Sequence, residues 1–261
     1  MSVENIISKA IVHNYSQKLS DHLKVDVALV GAGPSALVAA HYLTKAGLKT
    51  AIFESRLTPG GGVWGGGMLF NELVVQDDAL DILQEFRIAA RPIEGIPGAE
   101  GYFTVDSVEM ASGLIFGAVH GGAKLFNAIK VEDIVFHDNR VAGLVINWST
   151  VLKLGLFVDP LTVLADAVVD ATGHPSSIMN LAIGKAKIRL DTPTGGILGE
   201  RPMWVDQGEV SAVESTGEYY PGLFACGMSA NNVMGGYRMG PIFGGMLKSG
   251  KKVAEMIIAG R

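Results

Sequence analysis

The first 54 residues alternate between apolar runs and polar breaks in a way that predicts a strand, a helix and a second strand. Residues 25–30 (VDVALV) form a short, β-branched apolar run, which is typical of a buried strand. Residues 31–47 begin with a glycine-containing turn and continue with helical periodicity up to Gly47, a natural helix C-cap. Residues 49–53 (KTAIF) predict a second strand that ends on Glu54. The pattern therefore predicts a βαβ unit.

The rest of the chain extends this unit without an internal repeat. Residues 1–20 show helical spacing and predict an N-terminal helical arm. Residues 56–75 carry six glycines between Gly60 and Gly67, a density that no helix or strand interior tolerates, so they predict a loop. Residues 191–208 are rich in proline and glycine and predict an ordered loop. The other predicted elements are helices over 77–86, 106–121 and 241–259, strands over 123–128, 166–170 and 222–226, and a hairpin over 130–148.

The turn between the first predicted strand and helix carries a dinucleotide fingerprint. Gly31, Gly33 and Ala36 occupy the positions of G-x-G-x-x-G/A, where they give a tight turn, close approach of a pyrophosphate and close helix–strand packing. Glu54 follows 21 positions after Gly33, where a carboxylate accepts hydrogen bonds from a ribose diol and repels a 2′-phosphate. The pattern favours NAD or FAD over NADP. It predicts a single dinucleotide-binding domain over residues 1–261, with the fingerprint and the glycine-rich loop in residues 25–75.

Composition narrows the function classes. Glycine contributes 34 of 261 residues, about twice its usual share of ~7%. Hydrophobic residues make up 48% and charged residues 18%, which allows a large core and excludes a disordered or fibrous chain. The formal net charge of −5 and the lack of a basic run argue against a nucleic-acid partner. Cys226 is the single cysteine, so an intramolecular disulfide and a cysteine-based zinc site are excluded.

The expected location is the cytoplasm. A single cysteine fits a reducing compartment, no signal-peptide pattern precedes the first strand, and no apolar run approaches the ~18 residues of a membrane span. Neither a GxSxG elbow nor an HExxH pair is present, which argues against the usual hydrolases and zinc proteases.

Three segments carry a resemblance that is more specific than the fingerprint: residues 54–75 (ESRLTPGGGVWGGGMLFNELVV), 169–174 (VDATGH) and 237–255 (YRMGPIFGGMLKSGKKVAE). Together they resemble the thiamine thiazole synthase family, over nearly the whole chain and closest to its archaeal, sulfide-using branch. The resemblance implies an α/β, Rossmann-like fold of the FAD-dependent-reductase type with an inserted β-hairpin and substrate region. It also implies that NAD is a substrate, whose ADP-ribose part condenses with glycine and sulfur into an ADP-linked thiazole carboxylate.

The resemblance also assigns roles to individual residues. An Fe(II) ion is expected on Asp159 and His174, at a site that relatives can form between adjacent protomers, so a homo-oligomer is expected. Arg238 is expected to bind the carboxylate of glycine, as a guanidinium fork suits a carboxylate. The expected NAD contacts are Ser35, Glu54, Ser55, Gly62, Val131, Phe157, Val158, Asp159 and Met228. From the residues alone, the spacing of Asp159 and His174 is no metal motif, and His174 and Arg238 have ordinary structural interpretations.

The chain departs from the family pattern at Phe157. Relatives carry a sulfur-donating cysteine or, in the archaeal type, a histidine two residues before the metal aspartate. Phenylalanine cannot donate sulfur, so the hypothesis is a multiple-turnover enzyme that uses external sulfide, with Phe157 shaping the pocket. Cys226 ends an apolar strand and is predicted to be a small buried hydrophobe.

Two alternatives remain at this level, and a third is disfavoured. An FAD-dependent oxidoreductase would use the same fingerprint and Glu54. A catalytically inactive nucleotide-binding homologue would explain Phe157. A sugar-bisphosphate isomerase would need a cluster of Lys and Arg for two phosphates, and the sequence shows none.

Overall fold

A computed structural model describes residues 2–261 and shows a layered α/β chain built on one mixed sheet. The strands are β1 Lys24–Val30, β2 Thr50–Glu54, β3 Glu72–Gln76, β4 Arg91–Pro92, β5 Tyr102–Asp106, β6 Lys124–Asn127, β7 Ile129–His137, β8 Arg140–Trp148, β9 Leu161–Asp170, β10 Arg201–Met203, β11 Gly217–Tyr220, β12 Leu223–Ala225 and β13 Tyr237–Arg238. The helices are α1 Val3–Asp21, α2 Pro34–Lys45, α3 Leu80–Glu85, α4 Ser107–His120, α5 Ser149–Leu154, α6 Ser177–Leu181, α7 Val205–Glu214, α8 Met228–Met234 and α9 Gly244–Ala259.

The main sheet has a parallel centre. Its strand order is β6-β2-β1-β9-β12-β11, in which the first five strands are parallel and β11 is antiparallel. The hairpin β7–β8 joins this sheet because β8 pairs antiparallel with the first half of β9. The carboxyl ends of β1, β2, β9 and β12 therefore lie at one edge, where open α/β sheets bind their ligands. This arrangement confirms the Rossmann-like α/β fold and the inserted hairpin.

An apolar core covers each face of the sheet. On one face α2 packs between α4 and α9, and the buried side chains include Leu37, Leu114 and Leu247. On the other face Phe53 stacks on Phe126, with ring centroids 5.5 Å apart, beneath the hairpin and α6. Burial on both faces explains why β1 and β2 are nearly continuous apolar runs rather than alternating ones.

The predicted βαβ unit, hairpin and helices over 77–86 and 106–121 have counterparts within a few residues of the expected bounds. The loop predicted over residues 191–208 is wrong in its second half, because β10 occupies Arg201–Met203 and α7 begins at Val205. The C-terminal helix begins at Gly244, three residues later than predicted, and a short helix, α8, lies in the expected glycine-rich turn.

Strand β9 begins five residues before the prediction. Its first half alternates exposed and buried side chains, because one side of the strand pairs with β8 while one face remains open to solvent. Strands β3 and β5, which pair antiparallel outside the main sheet, were not predicted. Residues 161–165, β3 and β5 show no clear alternation of apolar and polar residues in the sequence, which explains both differences.

The N-terminal helical arm is present as α1 and has no buried residue. Val3, Ile7 and Ile11 in its first half are more than half exposed, whereas Tyr15 and Leu19 are partly buried against the core. A membrane span is not among the helices of residues 2–261, since none of them is both long and apolar enough.

Candidate functional site

A cavity of about 910 Å³ opens at the carboxyl edge of the main sheet. Its wall includes residues 30–36 after β1, residues 53–56 at the end of β2, residues 171–178 after β9 and residues 226–228 after β12. Such a volume lies within the usual range for small-molecule and cofactor sites. The cavity brings together most of the residues that the sequence singled out.

The fingerprint turn forms the floor of this cavity. Gly31 has φ +96°, and a Cβ placed there would lie 2.5 Å from the Ala171 carbonyl oxygen, so the position requires glycine. Gly33 caps α2, and a Cβ there would meet nothing within 4 Å, which leaves room for a ligand. The first N–H groups of α2, around Ser35, carry the partial positive charge of a helix N-terminus. The turn therefore suits a pyrophosphate.

Glu54 is held against this turn by hydrogen bonds. Its Oε2 accepts from the Ala32 amide at 2.8 Å, and its Oε1 accepts from the Arg56 amide at 2.7 Å. The Ser55 hydroxyl also donates to Oε1, at 3.3 Å. The side chain is buried but belongs to the cavity wall. A carboxylate fixed in this way keeps unused acceptor positions for a ribose diol.

The glycine-rich loop packs directly on the fingerprint. The Gly60 amide donates to the Ala32 carbonyl at 2.7 Å, and a Cβ on Gly61 would lie 3.0 Å from the Gly33 Cα. Gly62 lies in the cavity wall beside them. Val131 of β7 and Met228 at the start of α8 line other parts of the same cavity. All predicted nucleotide contacts except residues 157–159 thus surround one space.

Asp170, at the end of β9, fixes the segment that carries His174. This carboxylate is fully buried, and its Oδ1 accepts from both the amide and the hydroxyl of Thr172 at 3.0 and 2.7 Å. Its Oδ2 accepts from the amides of Ile178 and Met179 at 2.9 and 3.0 Å. Sequence reasoning assigned Asp170 no role, although an aspartate directly after a buried strand is a signal for such a loop clamp.

His174 lies in the cavity wall with about half of its side chain exposed. Its Nδ1 lies 2.6 Å from Oε1 of Glu200. Glu200 was not predicted, since it precedes β10 in an irregular segment and belongs to no motif. Glu200 and His174 are 26 positions apart in the sequence, so only the fold shows that their side chains are in contact.

Arg238 lies in the cavity wall on the short strand β13. The turn that carries it is held by Asn231, whose Nδ2 donates to the Tyr237 carbonyl at 2.9 Å. Gly236 packs so closely on Asn231 that any Cβ there would overlap its amide. Arg238 has no ion-pair partner among residues 2–261, so its guanidinium is available to an anionic ligand.

Phe157, Val158 and Asp159 lie elsewhere. They follow α5 in an exposed segment and do not line the cavity. Phe157 is fully exposed, so it does not shape the pocket of its own chain as predicted. Within residues 2–261 no three His, Cys, Asp or Glu side chains are grouped as a metal site. Within one chain, therefore, His174 lines the cavity and Asp159 does not.

Cys226 lies behind the fingerprint in the cavity wall, but only 1% of it is exposed. Burial, together with the charge of Asp170, raises the pKa of its thiol well above the ordinary range. The thiolate, which is the nucleophilic form, is thus disfavoured. The prediction of a small buried hydrophobe is confirmed.

A family model, that of the Thi4 family, matches residues 8–243 of the chain. The thiamine thiazole synthase of Methanothermobacter thermautotrophicus is 51% identical over 259 residues, covering 99% of this chain and 98% of that protein. The thiamine thiazole synthase of Pyrococcus abyssi is 49% identical over 255 residues, covering 98% of this chain and 97% of that protein.

A solved structure shows the same similarity in three dimensions. The crystal structure of Thermovibrio ammonificans THI4 superposes with a TM-score of 0.96 at 47% sequence identity. The match covers 100% of this chain and 99% of that one. The two chains therefore share their fold over their full length, including the strands around the cavity.

Proposed function

Because the chain belongs to the Thi4 family, we infer that it is a thiamine thiazole synthase, and we propose that it converts NAD, glycine and external sulfide into an ADP-linked thiazole carboxylate. In the proposed reaction nicotinamide leaves, the ribose opens to a ketone, glycine condenses with it, and sulfur closes the thiazole. One observation carries the proposal: a single cavity is lined by the dinucleotide fingerprint, by His174 and by Arg238.

The proposed NAD pose follows from the cavity wall. The pyrophosphate lies over Gly33 and the N-terminus of α2, where backbone N–H groups and the helix dipole favour negative charge. Glu54 accepts hydrogen bonds from the adenosine ribose, and Val131 contacts adenine through apolar surface or its backbone. In this pose the nicotinamide ribose reaches the part of the cavity wall that contains His174 and Arg238.

Arg238 binds the glycine carboxylate in this proposal. A guanidinium makes two parallel hydrogen bonds to a carboxylate, which fixes its direction as well as its position. Asn231 holds the backbone of the turn next to Arg238, so the arginine side chain extends from a fixed position in the cavity wall. The amine of glycine then points toward the ribose carbon with which it condenses.

One imidazole, His174, and one carboxylate, Asp159, form a donor set that would suit an Fe(II) ion and would leave other coordination positions open. When bound, Fe(II) supplies Lewis acidity and open positions for sulfide. Because Asp159 is exposed and does not line the cavity of its own chain, we propose that a second copy contributes it.

Sulfide is proposed as the sulfur source for two structural reasons. Phe157 has no sulfur to donate. Cys226 is buried, and its raised pKa keeps the thiol protonated. The protein therefore has no activated sulfur of its own at either position, and the enzyme is expected to turn over repeatedly without a change in its own mass.

Anaerobic incubation with NAD, glycine, sulfide and Fe(II) tests the proposal. Mass analysis of the nucleotides is expected to show ADP-thiazole carboxylate in molar excess over enzyme, with an unchanged intact protein mass. Product limited to one equivalent, with a loss of sulfur from the protein, would disprove the external-sulfide step. A yellow, flavin-loaded protein that forms no adenylated product would instead indicate an FAD-dependent oxidoreductase.

A further inference from the structure

We propose that Glu200 is a positioning residue for His174: it fixes the imidazole with its proton on Nδ1, so that Nε2 is the free, metal-ligating nitrogen. The inference rests on the proposed function, in which His174 holds the metal. It assigns a role to a residue that neither the motifs nor the family resemblance marked. The juxtaposition that carries it is the distance of 2.6 Å between His174 Nδ1 and Glu200 Oε1.

The carboxylate of Glu200 is dedicated to this contact. Its side chain is only 17% exposed, and no lysine or arginine within the described residues 2–261 forms an ion pair with it. A carboxylate in such a position needs a hydrogen-bond donor, since burial without one is costly. The Nδ1–H group of His174 is that donor.

The backbone on both sides of Glu200 is fixed. The Gly199 amide donates to the Asn232 carbonyl at 3.0 Å, and the Arg201 amide donates to the Gly236 carbonyl at 2.9 Å. Glu200 is therefore held between two hydrogen bonds to α8 and to the turn that follows it. Its carboxylate reaches His174 from a defined backbone position rather than from a mobile loop.

The segment of His174 is tied to the same helix. Ser176, two residues further on, is fully buried, and its hydroxyl donates to the Ser229 carbonyl at 3.1 Å. The Asn232 side chain donates to the Ser176 hydroxyl at 2.8 Å. Because Asn232 contacts both segments, one through its side chain and one through its carbonyl, α8 holds the glutamate and the histidine at a fixed separation.

The chemical consequence concerns the tautomer of the imidazole. A neutral imidazole free in water carries its proton mainly on Nε2, which blocks that nitrogen as a ligand. A carboxylate at Nδ1 holds the proton on Nδ1 and leaves the Nε2 lone pair free, and it also makes the imidazole a stronger donor to a metal. His174 is thereby prepared for the metal before the metal arrives.

Long-range ¹H–¹⁵N correlation spectra of the metal-free protein test this directly. They are recorded above the ordinary titration range of histidine, with His174 assigned from the His174→Ala spectrum. The wild-type protein is expected to show His174 protonated on Nδ1. Glu200→Ala is expected to shift the population to Nε2–H, whereas Glu200→Gln, whose amide oxygen still accepts, is expected to keep the Nδ1–H form. An unchanged tautomer in Glu200→Ala would overturn the inference.

Co(II) titration followed by optical absorption supplies the second readout. Glu200→Ala is expected to weaken Co(II) binding on the order of 10–100-fold, and Glu200→Gln by less. Glu85→Ala is a matched control, because Glu85 lies 3.7 Å from another histidine, His41, away from the cavity. This control is expected to change neither readout. A Glu200→Ala affinity within about twofold of wild type would contradict the inference.

The His174→Ala variant separates this inference from the proposed function. If His174→Ala binds Co(II) as tightly as the wild type, the metal assignment of His174 is wrong, whatever Glu200 does. If His174→Ala loses Co(II) while Glu200→Ala keeps both the tautomer and the affinity, the metal site stands and the role of Glu200 is wrong. Thermal melting of each variant shows whether it is folded.

Discussion

Two regions that the proposed reaction needs differ sharply in their surroundings. The βαβ region, from β1 to β2, is buried on both faces and packs its fingerprint turn against the glycine-rich loop of the same chain. The segment of residues 154–161, which carries Asp159, is apolar but open to solvent: Leu154 is 69% exposed and Phe157 is fully exposed. Most of the proposed nucleotide contacts thus lie around the cavity of one chain, whereas residues 157–159, which include the proposed metal ligand Asp159, do not.

The exposed segment has the character of an interface. Leu156, Val158 and Leu161 are each about half exposed as well, so the apolar positions are contiguous rather than scattered. Contiguous apolar surface on a folded chain marks a contact with another molecule more often than a free surface. We propose that a second copy of the chain covers it, which would also bring Asp159 to the cavity of its neighbour.

The largest expected effect is a loss of catalysis when either proposed metal ligand is replaced. His174→Ala or Asp159→Ala is expected to reduce thiazole formation on the order of 10³-fold or more, because the metal contributes several kcal/mol to the transition state. Nucleotide affinity is expected to fall much less, since the fingerprint and Glu54, which hold the adenylate part in the proposed pose, are unchanged. Product assays and calorimetric NAD titration measure the two quantities. Full activity in either variant would contradict the metal assignment.

The next effect falls on nucleotide binding. Gly31→Ala places a Cβ 2.5 Å from the Ala171 carbonyl at a left-handed φ, so nucleotide affinity is expected to fall on the order of 10–100-fold. Gly47→Ala is a matched control, because Gly47 has φ +83° but a Cβ there meets nothing within 4 Å. The control is expected to lose about 1–2 kcal/mol of stability and to keep its nucleotide affinity. Equal losses of nucleotide affinity in the two variants would show that backbone strain, rather than the contact with the Ala171 carbonyl, causes the loss.

A smaller effect concerns the apolar segment. Phe157→Ser is expected to weaken self-association by about 1.5–3 kcal/mol, the value of burying one large apolar side chain. Phe116→Ser is the control, since Phe116 is also exposed but lies on α4. Light scattering over a concentration series measures the oligomer in each variant. If Phe157→Ser associates as strongly as the control, the segment is not the interface.

Cys226→Ser is expected to keep its turnover with added sulfide. A hydroxyl in this buried position is expected to cost about 1–3 kcal/mol of stability, because it replaces a thiol among apolar neighbours. Thermal melting measures the cost, and product analysis measures the turnover. Loss of sulfur incorporation in a folded variant would identify Cys226 as a donor.

The smallest effect is a pH dependence of stability. Burial raises the pKa of Glu209, although the Gly245 amide, which donates to it at 2.6 Å, and the charge of Lys248 oppose the shift. Because the folded-state pKa lies above the unfolded value, the folded protein binds more protons, and stability falls as the pH rises from the unfolded pKa through the folded one.

Glu209→Gln removes this titration while its side-chain oxygen can still accept from the Gly245 amide. Its unfolding free energy is expected to change by less than about 1.5 kcal/mol and to vary less with pH across that window. Denaturant unfolding at several pH values measures the slope. An identical slope in wild type and Glu209→Gln would show that Glu209 does not titrate there.

The same contrast explains what could be predicted from the sequence. The βαβ unit, Glu54 and the fingerprint depend on local periodicity and short spacing, so their positions can be predicted from the sequence. The role of Asp170 depends on the path of the loop that follows it, whose groups two to nine positions further on donate to it. The role of Glu200 depends on a side chain that the fold brings to it from far along the chain. Glu200 has no helical or strand periodicity around it, and its partner lies 26 positions away.

Helices α7 and α8 show the limit in another form. Helix α7 begins inside a predicted loop and α8 lies in a predicted glycine-rich turn, yet tertiary contacts stabilise both helices. For example, Asn231 on α8 accepts a hydrogen bond from Ser211 on α7 at 2.7 Å. Helix propensity is a weak preference that such packing overrides. The proposed metal ligands are marked by the family resemblance alone, because a histidine and an aspartate 15 positions apart form no motif.

Co-assembly of two inactive variants tests most directly whether two chains build one active site. Asp159→Ala and His174→Ala chains are co-expressed, and thiazole formation is measured with NAD, glycine, sulfide and Fe(II). If each site takes His174 from one chain and Asp159 from its neighbour, random assembly leaves about a quarter of the sites intact. Recovery to about a quarter of wild-type activity is therefore expected. Activity no higher than that of either variant alone would contradict it.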